Sequence, residues 1–124
     1  MIFLDKENHS AALVGTAYGI RYYGVDEGRE TSFCRLRLNY GYKEDEFGDK
    51  EQLYFTCVAF GEKADYIAAV TDNAKPTLLI CGRWEEREYN GEMKEQVVVE
   101  WVSVQPTFPA AKKKREEEFP DIDI

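Results

Sequence analysis

The sequence predicts an all-β fold: a five-stranded Greek-key barrel with one helix between its third and fourth strands, followed by a disordered acidic tail. Three observations predict it. The apolar stretches mostly alternate with period two or are rich in β-branched and aromatic residues. One segment only, "EKADYIAAV", carries helical spacing. Strand chemistry stops at Gln105, where "PTFP" opens a tail without periodicity.

The elements follow in order. "AALVGTAYG" is a first strand with two glycines. The polar stretch before it, "MIFLDKENHS", contains His9. "TSFCRLRLNY" alternates, with Cys34, Leu36 and Leu38 on one face and Phe33, Arg35 and Arg37 on the other. "YGYKEDEFGDKE" reads as a charged, glycine-punctuated loop. In "QLYFTCVAFG", Tyr54, Thr56, Val58 and Phe60 face one way, Phe55, Cys57 and Ala59 the other, and Gly61 ends the strand. In the helix, Ala64, Ile67, Ala68 and Val70 form a narrow apolar stripe, and Glu62 suits the positive end of the dipole. "TDNAKP" breaks it. Two long strands then join at Asn90-Gly91, the strongest short hairpin signal. Trp84 and Trp101 share strand faces with Leu78, Ile80, Val97 and Val99, which assigns both to the core or a subunit interface. Phe55 goes to the core. Five strands with a helix after the third is the arrangement of an OB-fold. Residues 1–105 form that domain, and 106–124 the flexible tail.

Composition sets the class. The 124 residues suit one domain, and 44% hydrophobic and 14% aromatic content supports a packed core. No apolar run approaches the roughly 20 residues of a membrane helix, and the start is too short and charged for a signal peptide. A soluble, cytoplasmic protein is expected. Cys34, Cys57 and Cys81 are odd in number and widely spaced in apolar stretches, as buried reduced thiols would be. With one histidine and no close Cys or His pairs, no metal site is expected. Phosphate-loop, HExxH and GxSxG motifs are absent, so the chain reads as a non-enzyme without a cofactor.

Several segments resemble the bacterial and phage single-stranded DNA-binding proteins over roughly residues 10 to 104. These are "LVG" at Leu13 to Gly15, "IRY" at Ile20 to Tyr22, "VAFGEKAD" at Val58 to Asp65, and "ICGRWEEREYNGE" through "VVVEWV". The resemblance implies an OB-fold that coats single-stranded DNA without sequence preference in replication, recombination or repair. It also implies a homo-oligomer, a tetramer with a dimer as the alternative. Tyr54 and Tyr89 stand where the family has stacking tryptophans, and Phe60 matches a stacking phenylalanine. Tyr40 or Tyr42 falls near a third tryptophan. The residues make a physical case beside this. A strand-binding groove needs flat rings for unpaired bases and cations for phosphates. Tyr54 and Phe60 share one strand face with Thr56 between them. Arg35 and Arg37 lie on the outward face of their strand, and Arg21, Arg83 and Arg87 are further candidates.

Two features complicate that reading. Net charge is −8, and through Gln105 there are 12 Lys and Arg against 19 Asp and Glu. Five acids fall between Glu44 and Glu51 and three between Glu85 and Glu88. The balance predicts weak, salt-sensitive DNA binding. It also favours a rival: an OB-fold protein-interaction module with weak or no nucleic-acid binding. The second feature is the end, "KKKREEEFPDIDI". It resembles the family's acidic tip that docks replication and repair enzymes, with Phe119, Pro120, Asp121, Ile122, Asp123 and Ile124 as contacts. The family tip ends Ile-Pro-Phe after a run of Asp, whereas here Phe-Pro precedes Asp-Ile-Asp-Ile.

Overall fold

The computed structural model describes residues 1–26 and 28–105. The tail, and with it the docking tip at Phe119 to Ile124, lies outside the described residues. Six strands and one helix are formed: β1 (Ile2–Asp5), β2 (Ser10–Tyr23), β3 (Phe33–Glu44), β4 (Lys50–Phe60), α1 (Glu62–Val70), β5 (Thr77–Tyr89) and β6 (Glu92–Gln105). The long strand β2 pairs with β5 through Ser10–Thr16 and with β3 through Thr16–Tyr23. Serving two neighbours, it closes five strands into a barrel in the order β2-β3-β4-β6-β5. All pairings are antiparallel except β4 with β6. Leu13, Leu36, Leu38, Ile67, Leu78, Ile80 and Val97 fill the interior without exposure.

Two glycines permit this closure. A Cβ on Gly15 would overlap the Asn39 carbonyl oxygen, and one on Gly82 would overlap that of Val98. Both belong to segments that carry the family resemblance, and both sit where strands approach too closely for a side chain.

Three expectations need correction. The amino-terminal stretch is a strand: Ile2 and Leu4 turn inward against the core, opposite Leu13 and Ala11. Its alternation is only four residues long and is masked by "KENH", which forms the turn. There Asp5 accepts hydrogen bonds from the Asn8 amide and side chain at 3.1 and 2.8 Å. The charged "loop" is mostly strand. β3 and β4 run out to Glu44 and Lys50, and Asp45 caps the turn by accepting from the Phe47 and Asp49 amides at 2.8 and 2.9 Å. Beyond the barrel both faces of this ribbon meet water, so no apolar period marks it. For Trp101 the core alternative falls, since it is half exposed (51%), which leaves the subunit-interface alternative, whereas Trp84 is buried (7%). A bulge places Glu100 between the pairs Gly82–Val99 and Cys81–Trp101, which turns Trp101 outward and Val102 inward.

Elsewhere the local chemistry acts as read. Asn90 and Gly91 take φ of 52° and 82°, as a two-residue hairpin turn requires. Phe55 packs against the core. Ala64 and Ile67 anchor α1 without exposure. Its Asp65 accepts hydrogen bonds from Tyr22 Oη and Ser32 Oγ, both at 2.6 Å, tying β2 and the segment before β3 to the helix. The Ser32 bond first, then the Tyr22 bond, holds the Asp65 carboxyl below its usual range. Cys34 and Cys57 are buried, which pushes their thiols up to about 11 and about 12, so both stay protonated at neutral pH. Cys81 departs from the expected burial: it is only half-buried, because it lies in a row with Ala12 and the outward-facing Trp101.

Gly82→Ala is expected to lower unfolding free energy in urea by about 1–3 kcal/mol through forced strand separation. Gly24→Ala, whose Cβ would meet nothing closer than the Tyr22 ring at 3.9 Å, should change it by less than about 0.5 kcal/mol. Equal effects would remove the closure argument.

Candidate nucleic-acid interface

Residues directly opposite on paired strands project to the same side of a sheet. The register therefore builds the outer face row by row. Tyr18, Arg37 and Thr56 form one row across β2, β3 and β4; Arg21, Arg35 and Val58 form the next; Tyr23, Phe33 and Phe60 form a third. Asn39 and Tyr54 continue the face at the other end. Val58 lies beside Val98 of β6, and Val98 beside Arg83 of β5, so the face runs on to the β5–β6 hairpin. A groove of about 350 Å³ lies along it, with Phe33, Arg35, Phe60, Arg87, Tyr89 and Lys94 among its walls. Thr56 and Val58 contribute to its floor.

The rings are displayed to water. Tyr54 is 41% exposed, Phe60 49% and Tyr89 60%, far more than the core positions between them. They are also braced. Phe60 tilts against Phe33 with centroids 5.2 Å apart, Phe33 stacks on Tyr23 at 6.2 Å, and Tyr54 meets Tyr18 edge to face at 5.9 Å. The structure separates Tyr42 from Tyr40. Tyr42 is exposed, pairs with Gln52 and carries Lys50 Nζ 4.7 Å from its ring centroid. Gln52 in turn accepts a hydrogen bond from Asn39 at 2.8 Å, which puts Tyr42 on the side of Tyr54. Tyr40 is the extra residue of the bulge between Asn39 and Gly41, half-buried, its carbonyl bonded by the Met1 ammonium.

The cations divide into two sets. Among the described residues, Arg21, Arg35 and Arg37 take part in no ion pair. Arg21 and Arg35 are direct cross-strand partners, and like charges so placed destabilise a sheet. The Arg37 guanidinium lies 5.2 Å from the Tyr54 centroid. Arg83 and Arg87 instead flank Glu85, at 3.5 and 3.4 Å, and Glu85 also accepts from Gln96 Nε2 at 2.6 Å. The hairpin end of the groove is thus partly neutralised. Glu95 is occupied as well. The Trp84 indole N–H (3.0 Å) and then Lys6 (3.2 Å) hold its carboxyl below the usual range.

Sequence reasoning placed Phe33 outward but gave it no role, and it missed Tyr18, Tyr23 and Lys94. A β2 bulge between Tyr18 and Arg21 puts these residues on one face at a spacing of three, which a period-two reading cannot find. For Phe33 a signal existed, since it alternates with Arg35 and Arg37. Among the described residues no group of three His, Cys, Asp or Glu could hold a metal, and no helix is long and apolar enough to cross a membrane.

Neither a family model nor a curated protein matches the sequence. Solved structures do. The second single-stranded DNA-binding protein of Mycobacterium smegmatis superposes with a TM-score of 0.58 at 15% identity, covering 79% of this chain and 89% of that one. A deletion mutant of the Thermus aquaticus single-stranded DNA-binding protein gives 0.56 at 21% identity, covering 78% and 50%. The chain therefore spans half the length of the Thermus protein. The corresponding domain of a Synechococcus protein gives 0.54 at 14% identity, covering 76% and 92%. At these identities the likeness is one of architecture: this chain has the OB-fold seen in single-stranded DNA-binding proteins.

Proposed function

We propose that the chain binds single-stranded DNA without sequence preference along this outer face, as a non-catalytic protein of replication, recombination or repair in the cytoplasm. The observation that carries the reading is the Arg21–Arg35 pair: two arginines sit directly opposite each other on β2 and β3 with no ion pair among the described residues, between the row of Tyr18 and the row of Tyr23, Phe33 and Phe60. A backbone phosphate relieves that repulsion, and flat rings on either side receive unpaired bases. Tyr42, Tyr54, Phe60 and Tyr89 stack, each contact worth about 1–3 kcal/mol. Arg21, Arg35 and Arg37 follow phosphates, and Thr56 supplies a hydroxyl beneath them. Arg87 exchanges Glu85 for phosphate on binding. Tyr40 drops out of the proposed set.

The acidic balance is compatible with this because charge acts locally. Screening limits its reach to about 8–10 Å at physiological salt. In the β3–β4 ribbon Asp45 is taken up by turn amides, and Glu51 pairs with Lys43 at 3.3 Å. The rival reading, a protein-binding OB module, draws support from Glu85, which already occupies two groove arginines.

A second outer face supports self-association. Phe3, Ala12, Cys81 and Trp101 fall in one row across β1, β2, β5 and β6, with Phe3 65% exposed. A second copy covers these apolar groups, giving a dimer or a tetramer. The acidic-apolar tip from Phe119 to Ile124 recruits replication and repair enzymes through a basic-rimmed apolar pocket on the partner.

Oligo-dT titration followed by intrinsic fluorescence at several salt concentrations should saturate with a marked salt slope. Tyr54→Ala should weaken binding about 5- to 150-fold while unfolding stays cooperative. No binding by the wild type at low salt favours the rival. Trp101→Glu should reduce the mass seen by sedimentation to that of one chain; a monomeric wild type would overturn the self-association. Deleting 116–124 should leave dT affinity intact or tighter while abolishing capture of repair enzymes, and weaker dT binding would contradict the docking role.

A further inference from the structure

The outer face does not stop at Tyr54. Tyr18 extends it over the edge of β2, and Lys75 Nζ reaches that ring from the segment after α1, 4.8 Å from its centroid. Between them opens a cavity of about 420 Å³ walled by Ala17, Tyr18, Ile20, Asn73 and Lys75. The β2 bulge makes this room, with Gly19 at φ 59°, and Asn73 at φ 60° turns the opposite wall. Lys75 is exposed and, among the described residues, in no ion pair.

We infer that this cavity is a further nucleotide-binding site, taking the unpaired base and phosphate next to the one stacked on Tyr54. The inference rests on the reading of the outer face as a single-strand path. Continuity supports it, since the Tyr18 and Tyr54 rings already touch edge to face. Chemistry supports it too. The Tyr18 ring can stack any base, Lys75 leaves the ring for a phosphate, and the Asn73 amide both donates and accepts. A duplex cannot use the site, because its bases already stack on one another. The strand therefore bends over β2 rather than leaving at the sheet end, and the cavity lengthens the segment covered without strengthening the grip on a shorter one.

The test is a ladder of oligo-dT lengths titrated against full-length wild type, Lys75→Gln and Tyr18→Leu at several salt concentrations. Urea midpoints serve as the folding control, and the exposed Lys75 keeps the test available if Tyr18→Leu unfolds. At lengths that reach the cavity, Lys75→Gln should lower the salt slope by about 1, and Tyr18→Leu should weaken binding about fivefold or more. At the shortest lengths that bind, Lys75→Gln should match wild type, and Tyr18→Leu, which also removes the ring bracing Tyr54, should lose less than at the longer lengths. Variants matching wild type at every length overturn this site and leave the outer-face reading standing. Equal losses at all lengths also overturn it, by placing both side chains on the central path. A wild type that binds no dT overturns both.

Discussion

Closure of β2 against two neighbours is the constraint from which the rest follows. One strand must pair with β5 along its first half and β3 along its second, so it must bend sharply and pass close to another backbone. Gly15 permits the passage beside Asn39, and Gly82 the corresponding one beside Val98. Only glycine fits where a carbonyl oxygen occupies the Cβ position. Once closed, the barrel sends one side of every strand inward, and the opposite side becomes available for ligands.

Bulges then decide what that opposite side displays. Each adds a residue to one strand and reverses its later alternation. In β2 the bulge brings Tyr18 and Arg21 onto one face. In β3 it sets Tyr40 apart and leaves Tyr42 beside Gln52. In β6 it turns Trp101 to the surface. The proposed binding rings and the exposed tryptophan are thus consequences of irregular pairing. A perfectly regular barrel with this sequence would bury Trp101 and scatter the aromatic face.

Electrostatics is settled at short range. An acidic chain holds a cationic ridge because, among the described residues, Arg21, Arg35 and Arg37 take part in no ion pair, while Arg83 and Arg87 flank Glu85. Cations rest over Tyr18, Tyr23, Tyr42 and Tyr54 at 4.7–5.2 Å from the ring centroids. Cation–π contact is weak in water, about 0.5–1 kcal/mol, so a stacked base can displace the cation toward its own phosphate. In the proposed binding, ring and charge are stored together and used separately.

The sequence by itself determined the strand-dominated architecture, the hairpin at Asn90-Gly91, the helix with Ala64 and Ile67 as anchors, and the alternation of Tyr54, Thr56 and Phe60 against Cys57 and Ala59. These depend on contacts between near neighbours and on a period of two, both written locally. Tertiary structure alone decided that Ile2 to Asp5 is a strand, that the charged segment is a ribbon, that Trp101 faces out and that Tyr42 rather than Tyr40 joins the row. Each of these depends on where a distant strand lies, on a bulge that resets the period, or on water reaching both faces, and no window of neighbouring residues contains that information.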